Sequence, residues 1–495
     1  MTDPGGRYAR YLRHRYRIIA GYTGLIGVIV GAIILLPLAL LPFYPQEASL
    51  APAFALPGAA CVLGGLALWR GLAARANTGL TFQEGTVVVV LSWLAAMAVG
   101  ATPFTLGAGL DWTQAMFEST SGWTTTGLSV VDVTRAPRLF LFYRSAMQYA
   151  GGAGLAIITL SALVGPAGAG VSSAEGRGEQ LAPHVRRSAK LVLAIYLGCG
   201  LIGWPLLRAA GMSWFDALNH AMAALSTGGF STRPESIGYW DSPRVEAVIV
   251  LLMLVGMLNF LTSYALLRRQ FRSAARNTEV RLTAALIPLF SVILLFGVTL
   301  GLYPTLGKSV RVAIFETVTA LSTTGFATVD YRPWNGLGWL ILILLMMIGG
   351  GTGSTAGAIK QYRIYVMLQA LAGEVRRALM PGRAVSRPYV WQGERKEYLT
   401  DERVRQVGVF VFLYAATYFA GSMVLAWYGY TLPESLFEFA SALGTVGLSV
   451  GVTLPDAPPA VLWTEVAGMF LGRLEFFTIL IGIAKIAADA RRLVG

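Results

Sequence analysis

The 495-residue sequence is short of charge, cysteine and histidine. Each shortage removes a class of protein. Only 13% of its residues are charged and 55% are hydrophobic, whereas a soluble domain carries roughly 25% charged residues. A water-facing surface cannot be built at this length from so few polar side chains. The two cysteines, Cys61 and Cys199, each lie inside an apolar run and read as small core residues, which removes a disulfide framework. His14, His184 and His220 have no ligand spacing between them, so no zinc-type cluster is expected. No nucleotide-hydrolysis motif and no nucleophile–base arrangement is present either, and the chain does not read as an enzyme.

What is abundant is apolar length. Ile18 to Leu41, Ala51 to Ala73, Thr86 to Leu106 and Leu282 to Leu302 each reach the roughly 20 residues needed to cross a bilayer core. The first is too long for a secretory signal and is followed by further runs. Ten transmembrane helices are expected, beginning near Ile18, Ala51, Thr86, Leu139, Ala189, Val245, Leu282, Leu337, Val404 and Ala460. A formal charge of +13 invites a nucleic-acid reading, but its distribution argues against one. With the N-terminus inside, the cytoplasmic segments hold Arg7 to Arg17, Arg70, Arg75, Arg177, Arg186, Arg187, Lys190, the run Arg268–Arg281, Lys360 to Arg405, Arg491 and Arg492. The external loops carry only Arg135, Arg233, Lys308, Arg311 and Arg332, apart from a few residues at span edges. This asymmetry places both termini in the cytoplasm.

One motif recurs four times. Phe117 to Ser129 reads FESTSGWTTTGLS, Asn219 to Ser231 NHAMAALSTGGFS, Phe315 to Ala327 FETVTALSTTGFA and Phe437 to Ser449 FEFASALGTVGLS. Aligned on Gly127, Gly229, Gly325 and Gly447, a threonine falls two residues earlier in every copy: Thr125, Thr227, Thr323 and Thr445. Leu128, Phe230, Phe326 or Leu448 follows each glycine. The glycines lie 102, 96 and 122 residues apart, and each interval fits a helix, a half-helix with a loop, and a second helix. Close helix packing would account for small residues in one or two copies but not for one offset kept four times. The expected fold is therefore all-α and integral to the membrane. Four helix–pore loop–helix repeats surround one pseudo-fourfold pore, with two further N-terminal spans. Its parts are residues 1–80, 81–168, 169–270, 271–375 and 376–495.

Non-helical backbone at membrane depth is tolerated only where protein buries it or water lines it. Glycine allows successive carbonyls to turn toward a shared axis. Those carbonyls and the threonine hydroxyls can then replace the water shell of an alkali cation. The candidate filter comprises Thr125, Thr126, Gly127, Thr227, Gly228, Gly229, Thr323, Thr324, Gly325, Thr445, Val446 and Gly447. Glu118, Glu316 and Glu438 read as structural hydrogen-bond acceptors, because His220 replaces the glutamate in one copy. Asp111, Asp132, Glu235, Asp241, Asp330, Glu434 and Asp456 fall in external loops, where they would concentrate cations. One glycine per loop, against the TVGYG pair, predicts weaker discrimination among alkali cations.

A glycine-rich run interrupts the second helix of repeat three: Gly349, Gly350, Gly351, Thr352, Gly353, Ser354, Thr355 and Gly357. It predicts an intramembrane loop beneath the filter that blocks the path when closed. Gly351 to Ala356 also matches G-x-G-x-x-A with Glu374 beyond it, but the preceding run belongs to a span and no βα units follow. Arg473 is a charge inside the last span. It either holds the gate loop through exposed carbonyls or pairs with Glu475 or Glu465.

These residues resemble the Trk, Ktr and HKT superfamily of potassium transporters over nearly the whole chain. Beside the filters, Arg144 to Gly154 (RSAMQYAGGAG), Ile348 to Lys360 (IGGGTGSTAGAIK) and Leu471 to Glu475 (LGRLE) are similar to family motifs, with Tyr149 where tryptophan is common. The extra N-terminal pair of helices favours the TrkH type. Gly127 favours potassium, since sodium-selective relatives carry serine there. The resemblance implies potassium uptake across the cell inner membrane, the gate role of the loop and of Arg473, and potassium as the bound ion with no organic cofactor. It also implies a homodimer docked on a cytoplasmic ring of TrkA-type nucleotide-binding regulators. The basic loops Arg268–Arg281 and Arg376–Arg405 and the Gly165–Arg187 connection offer a surface for such a partner or for anionic lipid. A secondary transporter coupling potassium to protons or sodium would use the same repeats and stays open as the alternative.

Overall fold

Helices occupy all ten apolar runs, because each peptide group left unpaired in hydrocarbon is costly and a helix pairs its own. The computed structural model describes residues 4–73, 80–154, 185–379, 388–392 and 395–494. In chain order come α1 (Pro4–Leu35), α2 (Ala51–Leu68), α3 (Phe82–Gly107), α4 (Trp112–Trp123), α5 (Arg138–Gly152) and α6 (Val185–Ala210). Next are α7 (Trp214–Leu225), α8 (Pro243–Met257), α9 (Phe260–Leu267), α10 (Phe271–Arg276), α11 (Thr278–Leu294), α12 (Leu306–Leu321), α13 (Gly336–Ile348) and α14 (Gln361–Leu379). An antiparallel hairpin of β1 (Tyr389–Gln392) and β2 (Arg395–Tyr398) precedes α15 (Asp401–Trp427), α16 (Leu432–Gly444), α17 (Pro459–Leu474) and α18 (Phe476–Val494). Most of residues 165–187 and residues 380–387, parts of two expected partner surfaces, lie outside the described residues, as does Arg75.

Among the described residues, six helices are long and apolar enough to cross a bilayer: Tyr8–Leu40, Pro45–Leu72, Phe82–Gly107, Lys190–Ala210, Thr278–Leu302 and Asp401–Trp427. The other four expected spans are shorter. Helices α5, α8, α13 and α17 run 15, 15, 13 and 16 residues. At about 1.5 Å per residue each falls short of the roughly 30 Å hydrocarbon core. All four follow a Thr-x-Gly motif, and all four stop where the backbone leaves helical angles. Gly154 has φ 75°, Gly349 φ 73° and Glu475 φ 61°, while Leu258 turns extended at φ −75°, ψ 146°.

The chain divides into two compact units, residues 1–123, 130–197 and 474–495, and residues 124–129 with 198–473. In the first, α1 and α2 meet through a seam of small residues. A Cβ added at Gly31 would lie 2.9 Å from the Val62 nitrogen, so only glycine permits this approach. Buried charge in this unit is paired. Arg15 forms an ion pair with Glu84, and Glu84 completes a capping box with Thr81 at the start of α3. Tyr16 donates to Asp489 of α18 at 2.9 Å, and Lys485 joins the same carboxylate at 2.7 Å. Cys61 and Cys199 are free thiols and only half-buried, not the core residues expected. Cys61 faces α1, where its thiol donates to the Gly27 carbonyl at 3.2 Å.

In the second unit, a core containing Leu207, Met253, Phe315 and Phe326 joins α7, α8 and α12. Val390 and Leu399 of the hairpin region pack with Tyr362, Val366 and Val407, which fixes the start of α14 against the start of α15.

Candidate cation site

Four helices, α4, α7, α12 and α16, end just before a Thr-x-Gly turn, and the backbone repeats its conformation in each. Thr125, Thr227, Thr323 and Thr445 take φ 58°, 51°, 56° and 51°. A left-handed conformation at a β-branched residue is a genuine outlier and costs of order 1–3 kcal/mol. The turn closes as a helix C-cap does. Gly228 donates to the Ala223 carbonyl at 2.8 Å, Thr324 to Thr319 at 3.0 Å and Val446 to Ser441 at 2.9 Å, the six-to-one bond of a Schellman motif. Threonine stands where glycine is usual. The strain is kept in all four copies, which marks the position as one where the hydroxyl matters.

Two residues on, Gly127, Gly229, Gly325 and Gly447 have φ 98°, 73°, 81° and 100°. All four loops lie in the second unit and close into a ring. A Cβ at Gly127 would overlap the carbonyl oxygen of Gly228. At Gly229 it would meet that of Thr324, at Gly325 that of Val446, and at Gly447 that of Thr126. Each glycine thus abuts the residue before the next copy's glycine, and the fourth closes on the first. The threonines are fully buried, and the hydroxyls of Thr125 and Thr445 have no hydrogen-bond partner among the described residues. Uncharged peptide and hydroxyl oxygens gathered this way suit a large, weakly hydrated monovalent cation; the carboxylate-rich sets that hold calcium or magnesium are absent from the ring.

Carboxylates strap the chain leaving three of these turns. Val130 donates its N–H to Glu118 at 3.1 Å, Thr328 to Glu316 at 2.9 Å and Val450 to Glu438 at 3.0 Å. Arg144 adds a buried ion pair to Glu118 at 2.5 Å. In the remaining copy His220 reaches the Ser231 hydroxyl at 3.0 Å, and Thr232 donates to Asp216 at 2.6 Å. The glutamates act as hydrogen-bond acceptors, and a different pair of side chains does the same work in copy two.

The glycine-rich run forms a loop with a closed neck. Helix α13 ends at Gly349, then Lys360 donates back to Ile348 at 2.9 Å and Gln361 to Gly350 at 2.9 Å. Between them the freed backbone is paired. Gly351 donates to the Met257 carbonyl at 2.9 Å and Thr352 to the Glu279 carboxylate at 2.7 Å. The loop touches the ring's threonines directly. The Thr227 hydroxyl donates to that of Thr355 at 3.1 Å, Gly357 donates to the Thr323 hydroxyl at 3.0 Å, and a Cβ at Gly357 would overlap the Thr445 hydroxyl. Gly353 takes φ 72°, and the Ser354 hydroxyl bonds the Gly351 carbonyl at 2.6 Å. Arg473 donates to the Thr355 carbonyl at 2.5 Å, whereas Glu465 accepts from Thr453 at 3.2 Å. Of the two readings of Arg473, the contact with the loop is present, and Glu465 is not its partner.

Five of the seven external carboxylates have polar partners. Asp241 is bridged by Lys308 and Arg311, Asp330 by Arg332 and Asp132 by Arg135. Asp111 caps Gln114, and Glu434 closes a capping box with Thr431. Sequence reasoning missed Glu279 because it opens an apolar run like many other helix-start acids. Its one signal was the Asn277 cap two residues earlier.

Comparison with known proteins adds identity to this geometry. The TrkH family profile, described as a cation transport protein, matches residues 52–491. The Trk system potassium uptake protein TrkH of Halomonas elongata is 31% identical over 82% of this chain and 86% of its own. An uncharacterized cation transporter of Methanocaldococcus jannaschii is 29% identical over 94% of this chain and 95% of its own. Among solved structures, the potassium transporter TrkH from Vibrio parahaemolyticus superposes with a TM-score of 0.82 at 27% identity, covering 94% of this chain and 98% of that one.

Proposed function

Because the chain belongs to the TrkH family of cation transport proteins, we propose that it carries potassium into the cell through a filter made by the four Thr-x-Gly loops. The observation that carries this reading is the closed cycle in which each filter glycine abuts the carbonyl of the next copy. Thr125, Thr126 and Gly127, Thr227 to Gly229, Thr323 to Gly325 and Thr445 to Gly447 supply the oxygens, and potassium passes as the transported ion. Helices α7, α12 and α16 end at the ring, so their negative C-terminal ends stabilise a cation there. Ten membrane crossings follow when the four short second helices are counted with the segments after their breaks. The basic segments then place both termini on the cytoplasmic side of the inner membrane.

Gating falls to the loop from Gly349 to Thr355 under the ring, held in place in part by Arg473. The contacts with Thr227, Thr323 and Thr445 support a closed state in which this loop blocks the exit. A homodimer working with a TrkA-type cytoplasmic regulator completes the system, as the family resemblance of the sequence implies. The membrane potential drives entry, at about 2.3 kcal/mol per charge per 100 mV. Flux of potassium, rubidium and sodium into proteoliposomes tests the proposal. Potassium and rubidium are expected to exceed sodium, and equal flux of all three, or none even when the gate loop is deleted, refutes it.

Coupled symport is favoured by one specific feature. Glu438 and Glu465 are both fully buried and converge on the Thr453 hydroxyl at 2.7 and 3.2 Å. One hydroxyl hydrogen cannot serve two carboxyl groups, which leaves this pair as a place to carry a proton beside filter four. Potassium flux driven by an imposed proton gradient at zero membrane potential separates symport from simple conduction.

A further inference from the structure

The first turn of α11 carries a carboxylate that ion passage does not use. Glu279 is 7% exposed, and its Oε1 accepts the Thr352 N–H at 2.7 Å, three residues before the carbonyl that Arg473 engages. A Cβ at Gly351 would lie 3.0 Å from the other carboxylate oxygen, so the group lies flush against the loop backbone. Glu279 is itself fixed. Its N–H donates to Asn277 Oδ1 at 2.9 Å, and Asn277 Nδ2 donates to the Thr262 hydroxyl at 3.1 Å. The neighbouring Thr278 hydroxyl accepts the N–H of Trp391 in β1 at 2.9 Å.

The geometry points to Glu279 as a positioning residue that latches the gate loop closed, braced by the hairpin Tyr389–Tyr398. This rests on reading the glycine-rich loop as the gate. A carboxylate accepting an amide hydrogen makes a charge-assisted bond, roughly twice as strong as a neutral one. The hairpin reaches the loop by two routes. One runs through Thr278 to the latch, and the other through Val390 and Leu399 to Tyr362, in the first turn of the helix that the loop enters. Moving the hairpin would therefore load both the latch and the loop's exit.

Regulator-free rubidium flux into proteoliposomes tests the latch, with deletion of Gly351–Ala356 as the fully open reference. Glu279→Ala is expected to raise flux about tenfold, the effect of losing one hydrogen bond to a charged group. Glu279→Gln keeps an acceptor at the same place and is expected to restore most of the closure. The potassium-to-sodium ratio should not move in either variant, whereas general damage to the fold would move it. Wild-type flux in Glu279→Ala alongside raised flux in the deletion overturns the latch and leaves the gate standing. Unchanged flux in both overturns the gate as well. If Glu279→Ala does not reconstitute, Thr352→Pro removes the donor from the loop side and is expected to raise flux similarly; wild-type flux in that variant also overturns the latch. Thr278→Val is expected to raise flux by a smaller factor, and no change there removes the hairpin from the account.

Discussion

Replacing Arg473 with methionine keeps the length of the side chain and removes its charge and its hydrogen bond to the Thr355 carbonyl. A hydrogen bond to a charged group contributes about 1.5–3 kcal/mol, and losing it shifts the closed-to-open ratio of the loop by about 10- to 150-fold. Other contacts still hold the loop: Gly351 to Met257, Gly357 to the Thr323 hydroxyl and Thr352 to Glu279. Flux should therefore rise by the lower part of that range and stay below that of a loop deletion. Removing a positive charge from the exit side of the filter acts in the same direction. A charge at membrane depth costs about 2.5–3.5 kcal/mol on insertion scales, so the variant should melt no lower than the wild type. Arg473→Lys keeps the charge but not the fork of donors, and its flux should lie between the two. The assay is rubidium uptake into proteoliposomes at a fixed potential, with the melting temperature measured on the same preparation. Flux equal to or below that of the wild type in Arg473→Met, with normal folding, refutes the reasoning.

Arg144→Ala strands the Glu118 carboxylate in the core and should destabilise the protein by about 3–5 kcal/mol, measured by thermal unfolding in detergent. Paired replacement by Glu118→Gln and Arg144→Met should cost clearly less. Gly325→Ala places a Cβ against the Val446 carbonyl at φ 81°, so the ring must open there, and potassium flux and its excess over sodium should both fall. Lys308, by its hydrogen bond, and then Arg311 hold the Asp241 carboxyl below its ordinary value. The stabilisation it gives is thus present above about pH 4 and is lost as pH falls through the lowered value. Asp241→Asn should remove that acid-side slope in melting temperature by lowering the neutral value slightly toward the acid one.

The four Thr-x-Gly turns were legible because their signal is repeated: no composition rule finds Thr227 or Gly229 alone, but one offset kept in four places does. The break at Gly349 and the loop after it were legible because five glycines cannot stay helical in mid-span, and Arg473 stood out because a charge inside an apolar run is rare. Three of the four second-helix breaks were not foreseen. Leu258 and Glu475 leave helical angles without a glycine run, since tertiary bonds such as Gly351 to Met257 favour the break. The partners of Asp241 were equally hidden. Lys308 and Arg311 are 67 and 70 residues from Asp241, and only the fold brings them together.

Rubidium anomalous scattering from crystals of the protein tests the central claim most directly. The account predicts a peak enclosed by Thr125–Gly127, Thr227–Gly229, Thr323–Gly325 and Thr445–Gly447. Ordered rubidium found only elsewhere, with nothing between the four turns, would contradict it.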